Sequence, residues 1–394
     1  MKMDTIFSFI VSKYAKINKG IFSLLFLLLQ YSNLFSQDSL SFKHQLSAWT
    51  LINTSNELPV YAGGRYIPQL NYDITLKNKA HLDFEASANL NGSFGFNPFD
   101  TISGSSQLKP YRLWARYSNE QLEIRAGLQK INFGSASILR PLMWFDQVDP
   151  RDPLKMTDGV WGILGRYYFL NNANLWFWTL YGNDKPRGWE FIGTNKSIPE
   201  IGGRLQVPLS RGETAFSYNF RKADSRALTG IAAPYSLIPE NKLGFDIKMD
   251  LVVGCWLEGS WVSKQKDLGM LTNQEIFNVG VDYTFNLGSG LYVILEQLIA
   301  ANDQVAFKFE NTASFSLLST TYPLGLFSNL SGIVYYDWKS NKSYNFLNLE
   351  RQFKNVSFYF MGFWNPENYL IPTQGTGQSL FGGKGFQIMF VLNK

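Results

Sequence analysis

Apolar and polar residues alternate with a period of two along most of the chain. In the stretch 81–90, Leu82, Phe84, Ala86, Ala88 and Leu90 fall on one side, with His81, Asp83, Glu85, Ser87 and Asn89 on the other. Successive side chains of a β-strand point to opposite faces, so this pattern predicts a strand with one apolar and one polar face. It returns at 66–76, 111–117, 122–128, 214–220, 243–251, 277–287, 356–364 and 386–392, and no segment carries a helical period. The connections alternate in length: short links at 77–80, 118–121, 170–174, 209–213, 286–290 and 352–355, and long ones at 91–107, 129–159, 182–200, 221–241 and 366–385. A soluble sandwich has no reason to sort its links this way. Short turns at one end and long loops at the other mark a barrel of the outer membrane. The expected fold is an all-β, transmembrane, antiparallel up-and-down β-barrel of eighteen strands with both termini periplasmic. Sixteen strands is the alternative count, because 310–330 is hard to divide.

The outward face supports this reading. Tyr111, Tyr117, Tyr167, Phe169, Phe216, Phe220, Trp261, Phe358, Trp364 and Phe390 lie on the apolar phase near strand ends, where aromatic rings favour the lipid–water boundary. Cys255 shares that phase with Val253 and Leu257 and reads as a lipid-facing apolar residue.

At the front, Lys13, Lys16 and Lys19 precede the apolar run Ile21–Leu29, and the segment closes at Ser36-Gln37. This order predicts a secretory signal peptide over 1–36 and a mature barrel over 37–394. The strands start directly behind it, which leaves no room for an N-terminal plug domain.

Composition narrows the chemistry. Aromatic residues make up 16 % and charged residues only 17 % of the chain, with apolar residues at 45 %. The net charge is +5, and loss of the leader removes four lysines and one aspartate to leave +2. No nucleic-acid partner is expected from so balanced a chain. One cysteine and two histidines, His44 and His81, exclude disulfides within the chain and leave little for nucleophilic or metal catalysis. His81 and Ser87 are six residues apart on one strand, roughly 20 Å, too far for proton transfer. No enzyme activity, catalytic residue or cofactor is expected.

On the polar phase, Arg112, Arg116, Arg125, Arg166, Arg204 and Arg221 point inward. Asp73, Asp83 and Glu85 flank them on one side, with Asp246, Asp250, Glu258 and Asp282 on the other. Two readings follow. Opposed basic and acidic walls set a transverse field that orients polar solutes, or the charges simply pair across neighbouring strands, as Glu123 would with Arg125 and Arg112. Either way the interior holds water, and a barrel of sixteen to eighteen strands has width for a channel.

The third external loop, 129–159, is the most distinctive segment. It carries Ile138, Leu139, Leu142, Met143, Trp144 and Phe145, which an exposed loop would not usually show. The expectation is a loop folded into the barrel mouth, forming an eyelet bounded by Arg140, Asp146, Asp149 and Asp152 and stiffened by Pro141, Pro150 and Pro153. Three aspartates also raise calcium, but no EF-hand spacing is present and Asp-Pro pairs commonly build turns. No metal is expected.

Arg125-Ala126-Gly127-Leu128-Gln129, Phe133-Gly134, Pro141 and Asp149-Pro150-Arg151-Asp152-Pro153 follow the order R-x-G-x-Q, aromatic-Gly, Pro, D-P-x-D-P. This stretch resembles the strand and constriction loop of Gram-negative porin-like proteins, in particular the alginate-export and related uncharacterised porin families. The Phe-Ser-Gln ending of the leader and the aromatic-rich strands resemble outer-membrane proteins of Bacteroidota. The resemblance implies passive passage of small polar solutes, anionic or carbohydrate-like, past the arginine cluster, although the many lumen acids depart from a strongly anion-selective lining. The implied setting is the outer membrane, with its lipid and lipopolysaccharide; a homo-oligomer or a larger outer-membrane complex stays open. The competing reading is a non-conducting accessory barrel of a secretion or assembly machine, with 189–192 and 231–235 as docking surfaces.

Overall fold

The computed structural model describes residues 39–76, 79–97, 102–228, 234–367 and 380–394. The expected leader over 1–36 and part of the docking segment 231–235 lie outside them. The wall begins with β1 (Ser39–Asn53), β2 (Val60–Thr75), β3 (His81–Phe96), β4 (Ile102–Ser118), β5 (Leu122–Gln129), β6 (Val160–Tyr168) and β7 (Asn174–Leu180). After the two-residue β8 (Gly193–Thr194) come β9 (Glu200–Leu209), β10 (Gly212–Asp224), β11 (Ile238–Asp250), β12 (Gly254–Lys264), β13 (Asn273–Phe285) and β14 (Leu291–Asp303). It ends with β15 (Thr312–Gly325), β16 (Ser328–Asp337), β17 (Lys342–Gln352), β18 (Val356–Trp364) and β19 (Lys384–Asn393).

Each wall strand pairs antiparallel with its neighbours in chain order, with β7 joined to β9. β1 pairs with both β2 and β19, so the ring closes. β8 only extends the end of β10 and is no part of the ring, which leaves eighteen strands in it. Closure satisfies every edge, and lipid demands that, because it offers no hydrogen bonds to an open strand. The segment 310–330 resolves into β15 and β16, with a register shift between Pro323 and Gly325.

Short links at 76–80, 119–121, 169–173, 210–211, 251–253, 286–290, 326–327 and 353–355 share one end of the barrel. The loops 130–159 (L3), 181–199 (L4), 225–237 and 365–383 share the other. One expected long link is corrected. Residues 91–96 and 102–107 are paired strand, so the connection shrinks to 97–101. These residues are rich in Gly and Ser, and 102–107 are exposed. With no apolar face to cover, they show no alternation that a sequence reading could use.

A second correction concerns β4. Ser87 pairs with Arg112 and Ala88 with Pro110, so Tyr111 is the extra residue of a β-bulge. Pro110 has no N–H to give the ladder, and proline within a sheet sits at such irregularities. The bulge turns Tyr111 off the outer face expected for it and into the lumen, where it borders two cavities.

Ile163, Leu205, Phe216, Val279, Leu295 and Phe386 are among the apolar residues exposed on the outer face. The inward phase is not uniformly polar. Trp178, Trp256, Ile276, Leu298, Phe315, Tyr335 and Phe363 are buried inside the ring. They form a platform against which the inward-folded loops pack.

Candidate functional site

L3 enters the lumen beside β5. At its root the Gln129 side chain donates to the carbonyls of Arg125 and Gly162, both at 3.1 Å, and so ties β5 to β6 where the chain leaves the wall. Ile131, Phe133, Leu142, Trp144 and Phe145 then bury themselves against Val160, Leu164, Trp178 and Leu180. Ala136, Leu139 and Met143 pack on Trp256, Ile276, Ile294 and Leu298. Burial of each large side chain contributes roughly 1.5–3 kcal/mol, which explains why so apolar a loop lies inside.

Carboxylates on the far wall fix its backbone. Glu258 on β12 accepts the N–H groups of Ala136 (2.8 Å) and Leu142 (2.7 Å). Glu296 on β14 accepts those of Ser137 (2.8 Å), Ile138 (3.1 Å) and Leu139 (2.6 Å). Asp246 on β11 accepts the Ser135 hydroxyl at 2.7 Å. Asp246 and Glu258, expected as pore-lining acids, are anchors of the loop instead. Gly134, at φ 109°, allows the approach: a Cβ there would stand 2.5 Å from a Glu258 oxygen.

Within L3, Arg140 pairs with Asp146 at 2.8 Å and also donates to the Phe133 carbonyl. Asp149 grips the Arg151 guanidinium at 2.8 and 2.6 Å and accepts its backbone N–H. Asp152 accepts the N–H groups of Leu154 (3.0 Å) and Met156 (3.3 Å). Asp149 and Asp152 thus build the turns that Asp-Pro pairs favour. Burial raises the Asp152 carboxyl above its ordinary range, against those two amides. The Arg151 guanidinium lies 5.4 Å from the Phe346 ring on β17 and 4.7 Å from Phe381, so the loop reaches across the barrel.

Of the arginines expected to face the lumen, three form a ladder toward the short-turn end. Arg116 and Arg125 are direct cross-strand partners. Arg116 binds Asp83 through two nitrogens at 2.7 and 2.6 Å. Arg125 (2.9 Å) and Arg166 (3.8 Å) share Glu123. Trp114 lies under Arg125 at 4.8 Å and Trp176 under Arg166 at 3.8 Å. Arg112 sits higher, over the Tyr111 ring at 4.0 Å, and donates to the Thr157 carbonyl at 3.1 Å.

Arg204 and Arg221 point inward as expected, but both are covered. Arg204 is 3 % exposed, holds Asp246 through two nitrogens at 2.6 and 3.0 Å, and lies over Phe133. Arg221 is 1 % exposed and joins Glu240 (2.6 Å) to Glu190 of L4 (2.9 Å). L3 covers the first and L4 the second, so both serve loop attachment. Burial alone would raise Glu190, but Arg221, Lys242 and Arg187 outweigh it and hold this carboxyl below its ordinary range. L4 in turn braces L3: Trp189 Nε1 donates to the Arg140 carbonyl at 2.8 Å. Gly188, at φ 52°, lies so close that a Cβ would stand 1.7 Å from the Met143 carbonyl oxygen.

Space remains on both sides of L3. Toward the long-loop end, a cavity of about 540 Å³ is bordered by Arg65, Lys109, Tyr111, Asp146, Met156 and Asp158. Toward the short-turn end, one of about 680 Å³ is bordered by Gln45, Gln69, Tyr111, Leu154 and Met156. The two share Tyr111 and Met156, whose hydroxyl and thioether stand 3.5 Å apart. A third cavity, about 850 Å³, lies between L3 and the β14–β18 wall, where Ser319, Thr321, Ser331, Asn348 and Tyr359 face Lys130 and Lys155. Neither lysine has an ion pair within 4 Å among the described residues. The sequence reading weighted arginines and missed these lysines, together with Arg65, Tyr111 and Met156. Proline in a strand was the available signal for Tyr111.

No family model matches the chain, and no curated protein matches it. Solved structures do. OccAB4 of Acinetobacter baumannii superposes with a TM-score of 0.54 at 9 % identity, covering 92 % of this chain and 99 % of that one. OccAB1 of the same organism gives 0.55 at 8 %, covering 91 % and 96 %. OccK5 (OpdH) of Pseudomonas aeruginosa gives 0.54 at 11 %, covering 91 % and 98 %. The fold is that of an outer-membrane porin. At such identities the likeness is one of fold, over nearly the whole barrel.

Proposed function

We propose that the chain is a porin-like channel of the outer membrane through which small polar solutes diffuse passively. In this reading the short-turn end and both termini face the periplasm after removal of the leader, and L3 is the constriction. The observation that carries it is a space on each side of L3, 540 Å³ and 680 Å³, parted only by the Tyr111–Met156 contact. L3 narrows the lumen without filling it.

Arg65 and Lys109 border the upper space, Arg112 stacks on Tyr111, and the Arg116–Arg125–Arg166 ladder lies on the same flank of the wall. This supports passage of anionic or carbohydrate-like solutes, the class that the alginate-export resemblance implies. Asp146, Asp158 and Asp83 lie among those cations and keep the preference modest. Of residues 189–192, Trp189 and Ile192 are buried and Glu190 is tied into the wall, so the segment offers the accessory-barrel reading the exposed Phe191 alone.

Liposomes carrying the full mature chain test the proposal by swelling in isotonic sugars and sugar acids of increasing size. Swelling that falls with solute size supports it. No swelling with any solute, from a correctly folded barrel, overturns it.

A further inference from the structure

We infer that the root of L4 holds a small monovalent anion, a halide in chemical class, in a narrow cavity behind the constriction. The cavity has a volume of about 20 Å³ and is bordered by Arg187, Arg221, Lys242, Lys264, Glu190 and Glu240. One water needs about 10–15 Å³ measured this way, so a single monatomic ion fits and a phosphate or carboxylate ligand does not.

The charges around it do not balance. Arg187, Arg221, Lys242 and Lys264 interlock with only three carboxylates, Glu190, Glu200 and Glu240. All seven side chains are at least nine-tenths buried. The acids are fully engaged. Glu200 takes Arg187 at 2.9 Å, Glu240 takes Arg221 at 2.6 Å, and Glu190 takes both Arg221 and Lys242.

The surplus falls on two groups. Lys264 has its nearest carboxylate oxygen at 3.7 Å, beyond hydrogen-bond reach. Arg187 keeps two buried nitrogens, Nε and Nη1, without a hydrogen-bond partner. Apart from Ser260 and Gln274 the rest of the lining is apolar, with Trp144, Trp189 and Val262 among it, and such surroundings screen charge poorly. An unbalanced buried cation there costs several kcal/mol, which an anion between Lys264 and Arg187 offsets.

The site also touches the constriction loop. Gln274, in the same lining, donates to the Trp189 carbonyl at 3.1 Å, and Trp189 holds the Arg140 carbonyl. A bound halide therefore stiffens the L4 strut behind L3.

Crystals of the full mature chain grown in sodium bromide test this through anomalous scattering at the bromine edge. The expected result is a peak in the cavity between Lys264 and Arg187. A second readout is the unfolding midpoint in chloride against gluconate at equal ionic strength, expected to be higher in chloride. Lys264→Gln balances the cluster; this variant should migrate as a folded, heat-modifiable barrel, lose the peak and lose the chloride dependence. An ordered L4 with no peak overturns the inference. So does a peak that survives in Lys264→Gln, or a wild-type midpoint indifferent to chloride.

Discussion

Glu296 and Leu139 stand 157 residues apart in sequence, yet the Glu296 carboxylate accepts the Leu139 backbone N–H at 2.6 Å. The same carboxylate also takes the amides of Ser137 and Ile138. Hydrogen bonds to a charged group are worth roughly 1.5–3 kcal/mol each. Glu296→Ala strips three amides of their partner and should free this stretch of L3, while the β-ladder stays intact. The expected outcome is a larger and noisier single-channel current from a barrel that still folds and melts at a lower temperature. A quiet current of wild-type size would contradict the anchoring role.

In the channel reading the Tyr111–Met156 contact is the gate between the two cavities, so these side chains set the width of the passage. Tyr111→Ala should raise conductance and admit larger sugars in liposome swelling. Met156→Ala should do so to a smaller degree, because a thioether chain is narrower than a phenol ring. If Tyr111 faced lipid instead, neither readout would move.

In the channel reading, the charges that set ion preference are those free to act on passing ions. Lys130 and Lys155 lack ion pairs among the described residues, whereas Arg116 and Arg125 hold Asp83 and Glu123. Lys130→Gln with Lys155→Gln should shift the reversal potential in a salt gradient toward cations. Arg116→Ala with Arg125→Ala should shift it in the same direction and by less, since part of their field is already neutralised. Arg204→Met should leave it unchanged.

The L4 attachment predicts a stability change and its pH course. Removing one partner of a buried ion pair typically costs about 3–5 kcal/mol, and Arg221→Met should lower the melting temperature accordingly. Glu190 titrates below the ordinary glutamate range in the folded state, because three cations outweigh its burial. Its contribution is therefore present in full above a pH of about 4.3, the unfolded value. It is lost as the pH falls through the lower folded value. Melting temperatures measured from pH 7 down to pH 3 should show this late loss in the wild type, and Glu190→Gln should remove that component.

The alternation of single strands and the sorting of short from long links are local signals, and they suffice to read the barrel; they leave sixteen strands open beside eighteen until 310–330 divides into β15 and β16. The apolar run Ile138–Phe145 likewise made the inward fold of L3 legible, because such residues must be buried somewhere. Other features depend on partners far along the chain. Asp246 and Glu258 had the correct inward phase, but their part as loop anchors follows from L3 lying against β11 and β12. Arg204 and Arg221 also pointed inward as expected; what the sequence did not show is the loop that covers each. Tyr111 was misplaced by a single inserted residue, since one bulge reverses the parity of everything read across it. Residues 102–107 read as loop because their Ser and Gly leave no apolar alternation to mark a strand.

If the lumen is open and narrowed by L3, the protein conducts ions, and planar-bilayer recording of the purified barrel under a salt gradient reads this out. Discrete open steps, with a reversal potential displaced modestly toward anions, are the expected result. A folded, heat-resistant barrel that gives no steps at any voltage would contradict the account.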